Sequence, residues 1–130
     1  MSYYFNTIVS ADFESLKEKV IEELKKEGFG VLTEIDIQAT LKKKIDVDFR
    51  KYVILGACNP GFAFKALTAE DKVGTMLPCN VILQELEDGR IEVAAVNPKA
   101  SMQAIENRDL EGIANEVSMK MKRVIEALIE

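Results

Sequence analysis

The sequence predicts an α+β fold: a single compact domain with a mixed β-sheet of about five strands and helices packed on it, in the order β-α-β-α-β-α-β-β-α. Three observations carry this prediction. Apolar residues recur at helical spacing in two stretches, residues 13–24 and 110–128, with short β-rich runs between them. Asp88-Gly89 separates two apolar runs in the way a hairpin turn does. The length of 130 residues, 48% hydrophobic and 30% charged, suits one globular domain spanning residues 1–130 rather than two domains or a disordered chain.

Taken in order, residues 3–9 (YYFNTIV) are aromatic and β-branched and predict the first strand. Ser10 or Asp12 can cap the helix that follows, in which Phe13, Leu16, Val20 and Leu24 share one face. Lys25 and Lys26 suit the negative end of its dipole, and Gly28 is placed to stop it in the left-handed conformation. Phe29, Val31, Thr33 and Ile35 alternate as in a strand with one buried face. Asp36 can cap a short helix from 37 to about 44, with Ile37 and Leu41 inward.

Residues 52–57 (YVILGA) form a continuous apolar run too short for a buried helix, which predicts a central strand covered on both faces. Asn59 as N-cap and Pro60 as first helical residue start a third helix, reaching to about 71. A loop over 72–79, a strand over 80–86 and its hairpin partner over 90–96 come next, and Asn97-Pro98 ends the hairpin. After an irregular stretch, Leu110, Ile113, Val117, Met121, Val124 and Leu128 mark a long amphipathic helix from Arg108 to near Glu130. Its broad stripe suits a sheet cover, a partner helix across a dimer, or both.

Composition removes many chemistries. The chain has no histidine, so neither a Ser-His-Asp nor a Cys-His nucleophile, nor a His-ligated metal site, can be built. Two cysteines cannot complete a four-thiolate zinc or iron–sulfur site. The Met residues lack soft-metal spacing and are expected in packing, so no metal is expected. GxGxxG and GxxxxGK[ST] are missing, and a net charge of -5 disfavours a nucleic-acid partner. No apolar run is long enough for a membrane span, and the first residues carry no secretory signal pattern, so a cytoplasmic protein with free thiols is expected. Catalysis would have to use Cys, Asp, Glu, Lys, Tyr or backbone groups, and the sequence leaves any cofactor unknown.

The chemistry that remains concentrates in residues 52–83. Both cysteines lie there, each beside an apolar run and each followed by asparagine: Cys58-Asn59-Pro60 and Pro78-Cys79-Asn80. Five of the ten glycines and prolines fall in the same stretch. Cys58 falls at a strand end just ahead of a helix N-terminus, where unpaired N–H groups favour an anion, so it is expected to be the more reactive thiol. Cys79 is expected to titrate higher or be buried. A second feature is basic: Lys42, Lys43 and Lys44, with Arg50 and Lys51, set five positive charges against Asp46 and Asp48. They form either a solvated helix end or an anion-attracting rim.

The segments YVILGACNP and GTMLPCNVIL resemble the domain of unknown function 302 family, whose pattern is Gly-Ala-Cys-Asn-Pro, an Ala-Leu helix, then Leu-Pro-Cys-Asn and an apolar strand. These correspond to Gly56 to Pro60, Ala66-Leu67 and Leu77 to Asn80, and residues 28–44 resemble the family's second strand and short helix. The resemblance implies a compact α+β fold and homodimers among small bacterial or archaeal proteins, and no settled activity.

Three functions of different classes follow. The first is a cytoplasmic module binding a small anionic ligand near Cys58, Asn59, Cys79 and Asn80, with Lys43 on the rim. The second is a thiol-based redox or sulfur-carrier protein using Cys58 or Cys79. The third is a structural or interaction homodimer, working through its last helix, with inert cysteines. Binding ranks first, because a nucleophilic thiol needs a base or an electropositive neighbour, and only the helix dipole or lysines such as Lys65 and Lys72 could serve.

Overall fold

The computed structural model describes residues 1–129. Strand β1 (Tyr4–Val9) leads into helix α1 (Phe13–Lys26), followed by β2 (Gly30–Asp36), α2 (Ile37–Ile45) and β3 (Tyr52–Cys58). Helix α3 (Pro60–Ala69) and a 3-10 segment (Asp71–Met76) precede β4 (Cys79–Glu85) and β5 (Ile91–Val96). A short α4 (Pro98–Ser101) and the long α5 (Arg108–Glu126) complete the domain. The expected element order holds, with a 3-10 segment where a loop was expected and α4 in the stretch expected to be irregular. Glu130, where the last helix was expected to end, lies outside the described residues.

The five strands form one sheet in the order β1-β5-β4-β3-β2, and every pairing is antiparallel. The expectation of a mixed sheet is corrected here, and the connections give the reason. Parallel neighbours need a crossover that returns the chain to the end it left. The links through α2 and α3 do not return it: each joins strands at the end where the first one stops. Only β1-α1-β2 crosses the sheet, and it connects the two opposite edges, so its parallel strands never meet.

Local chemistry sets the helix ends. The Asp12 carboxylate accepts from Ser15 N at 3.0 Å and opens α1. At the other end Phe29 N donates to Leu24 O and Gly28 N to Lys25 O, a Schellman closure that requires the positive φ of 87° at Gly28. Leu16, Val20 and Leu24 on α1 and Met121, Val124 and Leu128 from the C-terminal segment pack on one face of the sheet, against Leu55, Val81, Leu83 and Val93. A smaller cluster of Ala66, Val73, Met102, Leu110 and Ala114 joins α3, the 3-10 segment, α4 and α5. The stripe of α5 is thus consumed within the subunit. Asn97 and Ser118 are buried between these parts, and Ser118 Oγ donates to Asn97 Oδ1 at 2.6 Å. No helix among the described residues is long and apolar enough to cross a membrane.

The other face of the sheet is left open. The cross-strand row Asn6, Ala94, Ile82, Ile54 and Ile35 runs over it, and each of these residues is half-buried or exposed. Strand β3 is therefore not covered on both faces, and it lies second from the edge rather than at the centre. The alternation expected along β2 is also interrupted. A register shift between Val31 and Thr33 leaves Leu32 as a bulge, so Val31 packs on the core while Ile35 stands on the open face at 45% exposure. Gly56 is buried because Thr33 and Pro78 close over it; a Cβ there would collide with Thr33 Oγ1 and come within 2.8 Å of Pro78 Cγ.

Candidate functional site

The antiparallel register brings the two cysteine segments together. Ala57 is paired with Cys79 and Gly56 with Asn80, so the carboxyl end of β3 adjoins the amino end of β4. A parallel pair would have set Cys58 and Cys79 at opposite ends of the sheet. At this shared end a cavity of about 250 Å³ opens between the strand ends and helices α3 and α5. Cys58, Cys79 and Phe29 line it from the sheet side, Phe62 and Ala66 from α3, and Ala114 from α5. It follows the seam between the two hydrophobic clusters, since its walls draw on both.

The wall is almost entirely apolar, with the two thiols and Asn59 as its polar side chains. Cys79 is 8% exposed, and burial pushes its thiol up to about 11, with the neighbouring Cys58 adding to the shift. Cys58 is half-buried. Both cysteines are free thiols. Among the described residues no group of three His, Cys, Asp or Glu side chains is placed to hold a metal ion.

Asn59 sits at the cavity wall and also braces it. Its Oδ1 accepts from Phe62 N at 3.4 Å, capping α3 ahead of Pro60, while its Nδ2 donates to Glu27 O at 3.4 Å. A Cβ on Gly28 would come within 2.9 Å of that nitrogen, so the end of α1 and the start of α3 lock together only through a glycine. The sequence placed Asn59 as the cap but did not foresee its second bond.

The remaining expected site residues lie elsewhere. Asn80 is exposed on the open face of the sheet, where it lines a separate shallow trough with Tyr52, Gln84 and Glu92. The pleat of β4 turns Cys79 inward and Asn80 outward, so the second Cys-Asn pair does not act as a unit. Lys43 is an exposed side chain on α2 and lines neither hollow, while Lys42 pairs with Asp46 at 2.9 Å and Asp48 at 3.2 Å. Sequence reasoning did not place Phe62, Met102 or Ile113 at the site, though they supply much of the cavity wall. The signal for Phe62 and Ile113 was membership of apolar helical faces, which core residues share; Leu77, also in the wall, stood out only as part of the Leu-Pro-Cys-Asn motif.

Fold and cavity together define a single α+β domain with one face of an antiparallel sheet covered and an apolar hollow at one end. The family model of DUF302, a domain of unknown function, matches residues 5–128, and the chain belongs to that family. A crystal structure of an uncharacterised conserved DUF302 protein from Bacillus stearothermophilus is similar, with a TM-score of 0.91 at 26% identity, covering 99% of this chain and 100% of that one. No curated protein matches.

Proposed function

We propose that this domain binds a small molecule whose apolar body occupies the cavity beside Cys58 and Cys79. The observation that carries this reading is the cavity itself, a hollow of about 250 Å³ where two otherwise closed cores meet. Small-molecule sites span roughly 300–1,000 Å³, and a dry apolar hollow of about 150 Å³ already takes up benzene. Cys79 is a poor nucleophile at neutral pH with its thiol near 11, so sulfur chemistry here would rest on Cys58 alone. A cytoplasmic setting belongs to the same reading, supported by the two free thiols.

The test is thermal unfolding and NMR titration with a neutral bicyclic probe, naphthalene, on the natural chain and on a cavity-filled variant, Ala63→Phe, Ala63 being a further lining residue from α3. Naphthalene should raise the Tm of the natural chain and shift resonances of residues lining the cavity, and the filled variant should lose both effects while staying folded. Equal responses from the two proteins, or none from either, would overturn the reading.

A second copy of the chain is a further partner, and one observation favours it. The open sheet face carries the row Ala94, Ile82, Ile54 and Ile35, flanked by Tyr4 and Tyr52, and a two-fold pairing would bury the same row on both subunits. The stripe of α5, one of the two reasons to expect a dimer beside the family resemblance, does not support it, being buried within the subunit. Sedimentation at micromolar concentration should show a dimer that Ile54→Lys dissociates; a clean monomer for the natural chain ends this reading.

A further inference from the structure

We infer that the ligand of this cavity is an amphipathic anion, with its apolar body inside and a carboxylate or comparable anionic head held by Lys65 and Lys120. This rests on the reading that the cavity holds a ligand, and it names the class. The structural basis is the Phe62 ring, which is part of the cavity wall. Lys65 Nζ stands 5.6 Å from its centroid and Lys120 Nζ 5.9 Å, one ammonium reaching it from α3 and the other from α5. Two helices therefore bring a cation each to one aromatic ring of the wall, and neither lysine itself lines the hollow, so a head group would meet them beside Phe62 rather than inside.

These cations are poorly neutralised by the protein. The carboxylate within ion-pair range of Lys120 is Glu27, and it is engaged by Arg123, whose Nε and Nη2 lie 3.1 and 2.9 Å from the same oxygen. That oxygen is 3.9 Å from Lys120 Nζ, a long and shared contact. Lys65 makes no ion pair among the described residues. Lys65, Lys120 and Arg123 against Glu27 and Glu126 leave an excess of one positive charge in a protein whose net charge is -5. A bound anionic head would complete this set, whereas a cationic head would be repelled from it. The side chain of Lys120 is only 27% exposed, which reduces solvent screening of such a pair. The anion expected from the sequence at Lys43 finds its cations here instead, on different helices.

Three probes with one tail and different heads separate the ligand class from the cavity itself: octanoate, 1-octanol and octylammonium, titrated by NMR into the full chain at low salt. Octanol should bind in the cavity, octanoate about threefold to tenfold more tightly, and octylammonium more weakly than octanol. In the double variant K65Q/K120Q, with its fold checked by circular dichroism, octanoate should fall to the affinity of octanol and octanol should be unchanged. The advantage of octanoate in the natural chain should shrink as salt is raised. If octanol binds as tightly as octanoate, or if the double variant keeps the preference, the anionic class is wrong and the apolar cavity reading stands. If none of the three binds at millimolar concentration, the cavity reading fails and takes this one with it.

Discussion

The chain contains the dipeptide Cys-Asn twice, and the two copies have little in common once folded. In Cys58-Asn59 the strand ends and a helix begins, so both side chains stay at one place: the half-buried thiol on the cavity and the amide capping α3 while gripping the end of α1. In Cys79-Asn80 the strand starts, and its pleat sends the thiol into the core and the amide to the opposite, open face. A dipeptide at a strand-to-helix junction is a local unit, while the same dipeptide inside a strand is split by a two-residue period. What the pairs share is position. Antiparallel pairing of β3 with β4 puts both thiols at one end of the sheet.

The largest consequence is kinetic. At pH 8 a buried thiol near 11 is roughly one part in a thousand thiolate. Cys58 is half-buried and Cys79 is 8% exposed, so iodoacetamide should label Cys58 in the Cys79→Ser variant at least about tenfold faster than it labels Cys79 in the Cys58→Ser variant, as read by mass spectrometry of the folded proteins. Equal rates would break the contrast between the two thiols.

The same thiol makes a thermodynamic prediction of intermediate size. The pKa of Cys79 is raised from 9.0 to about 11 in the folded chain, so the folded state holds the proton more tightly than the unfolded one. Its contribution is whole below pH 9 and is lost as pH rises through 11. The loss amounts to about 2–3 kcal/mol. Urea unfolding at pH 8, 9.5 and 11 should show the natural chain losing this much more stability than Cys79→Ala, in which lysines and tyrosines titrate alike and cancel. Parallel pH profiles would mean that Cys79 is solvated in the folded chain.

Legibility in the sequence followed the range of the interactions. The cap at Asn59-Pro60, the glycine stop at Gly28 and the hairpin at Asp88-Gly89 are set by neighbours a few residues away, and all three are found where the residues indicated. The antiparallel sheet was not legible, because which strands lie side by side is decided by distant packing; a β-α-β pattern describes β1-α1-β2 correctly and still says nothing about the three strands between them. The bulge at Leu32 was hidden for a related reason: hydrophobic alternation continues through it in the sequence while the chain switches face. The cavity was half legible. Its cysteines stood out as rare residues in a punctuated segment, whereas Phe62, Met102 and Ala114 look like any core residue until the helices carrying them are placed.

The smallest effect tests the two asparagines directly. Asn59→Ala removes the cap of α3 and the bond to Glu27 O, and should cost about 1 kcal/mol, the usual value for a lost N-cap. Asn80 is exposed and makes no side-chain hydrogen bond among the described residues, so Asn80→Ala should stay within about 0.5 kcal/mol of the natural chain. Both distances at Asn59 are long, 3.4 Å, which sets the expected cost below the upper end of the capping range. A third variant separates its two bonds. Asn59→Asp keeps an oxygen for Phe62 N but replaces the donor with a second acceptor facing the Glu27 carbonyl. If the cap alone matters, Asn59→Asp should be as stable as the natural chain by urea unfolding; if the lock between α1 and α3 matters too, it should lose stability as Asn59→Ala does. The geometry favours the second outcome, because Gly28 leaves room for the Asn59 nitrogen and for no side chain of its own.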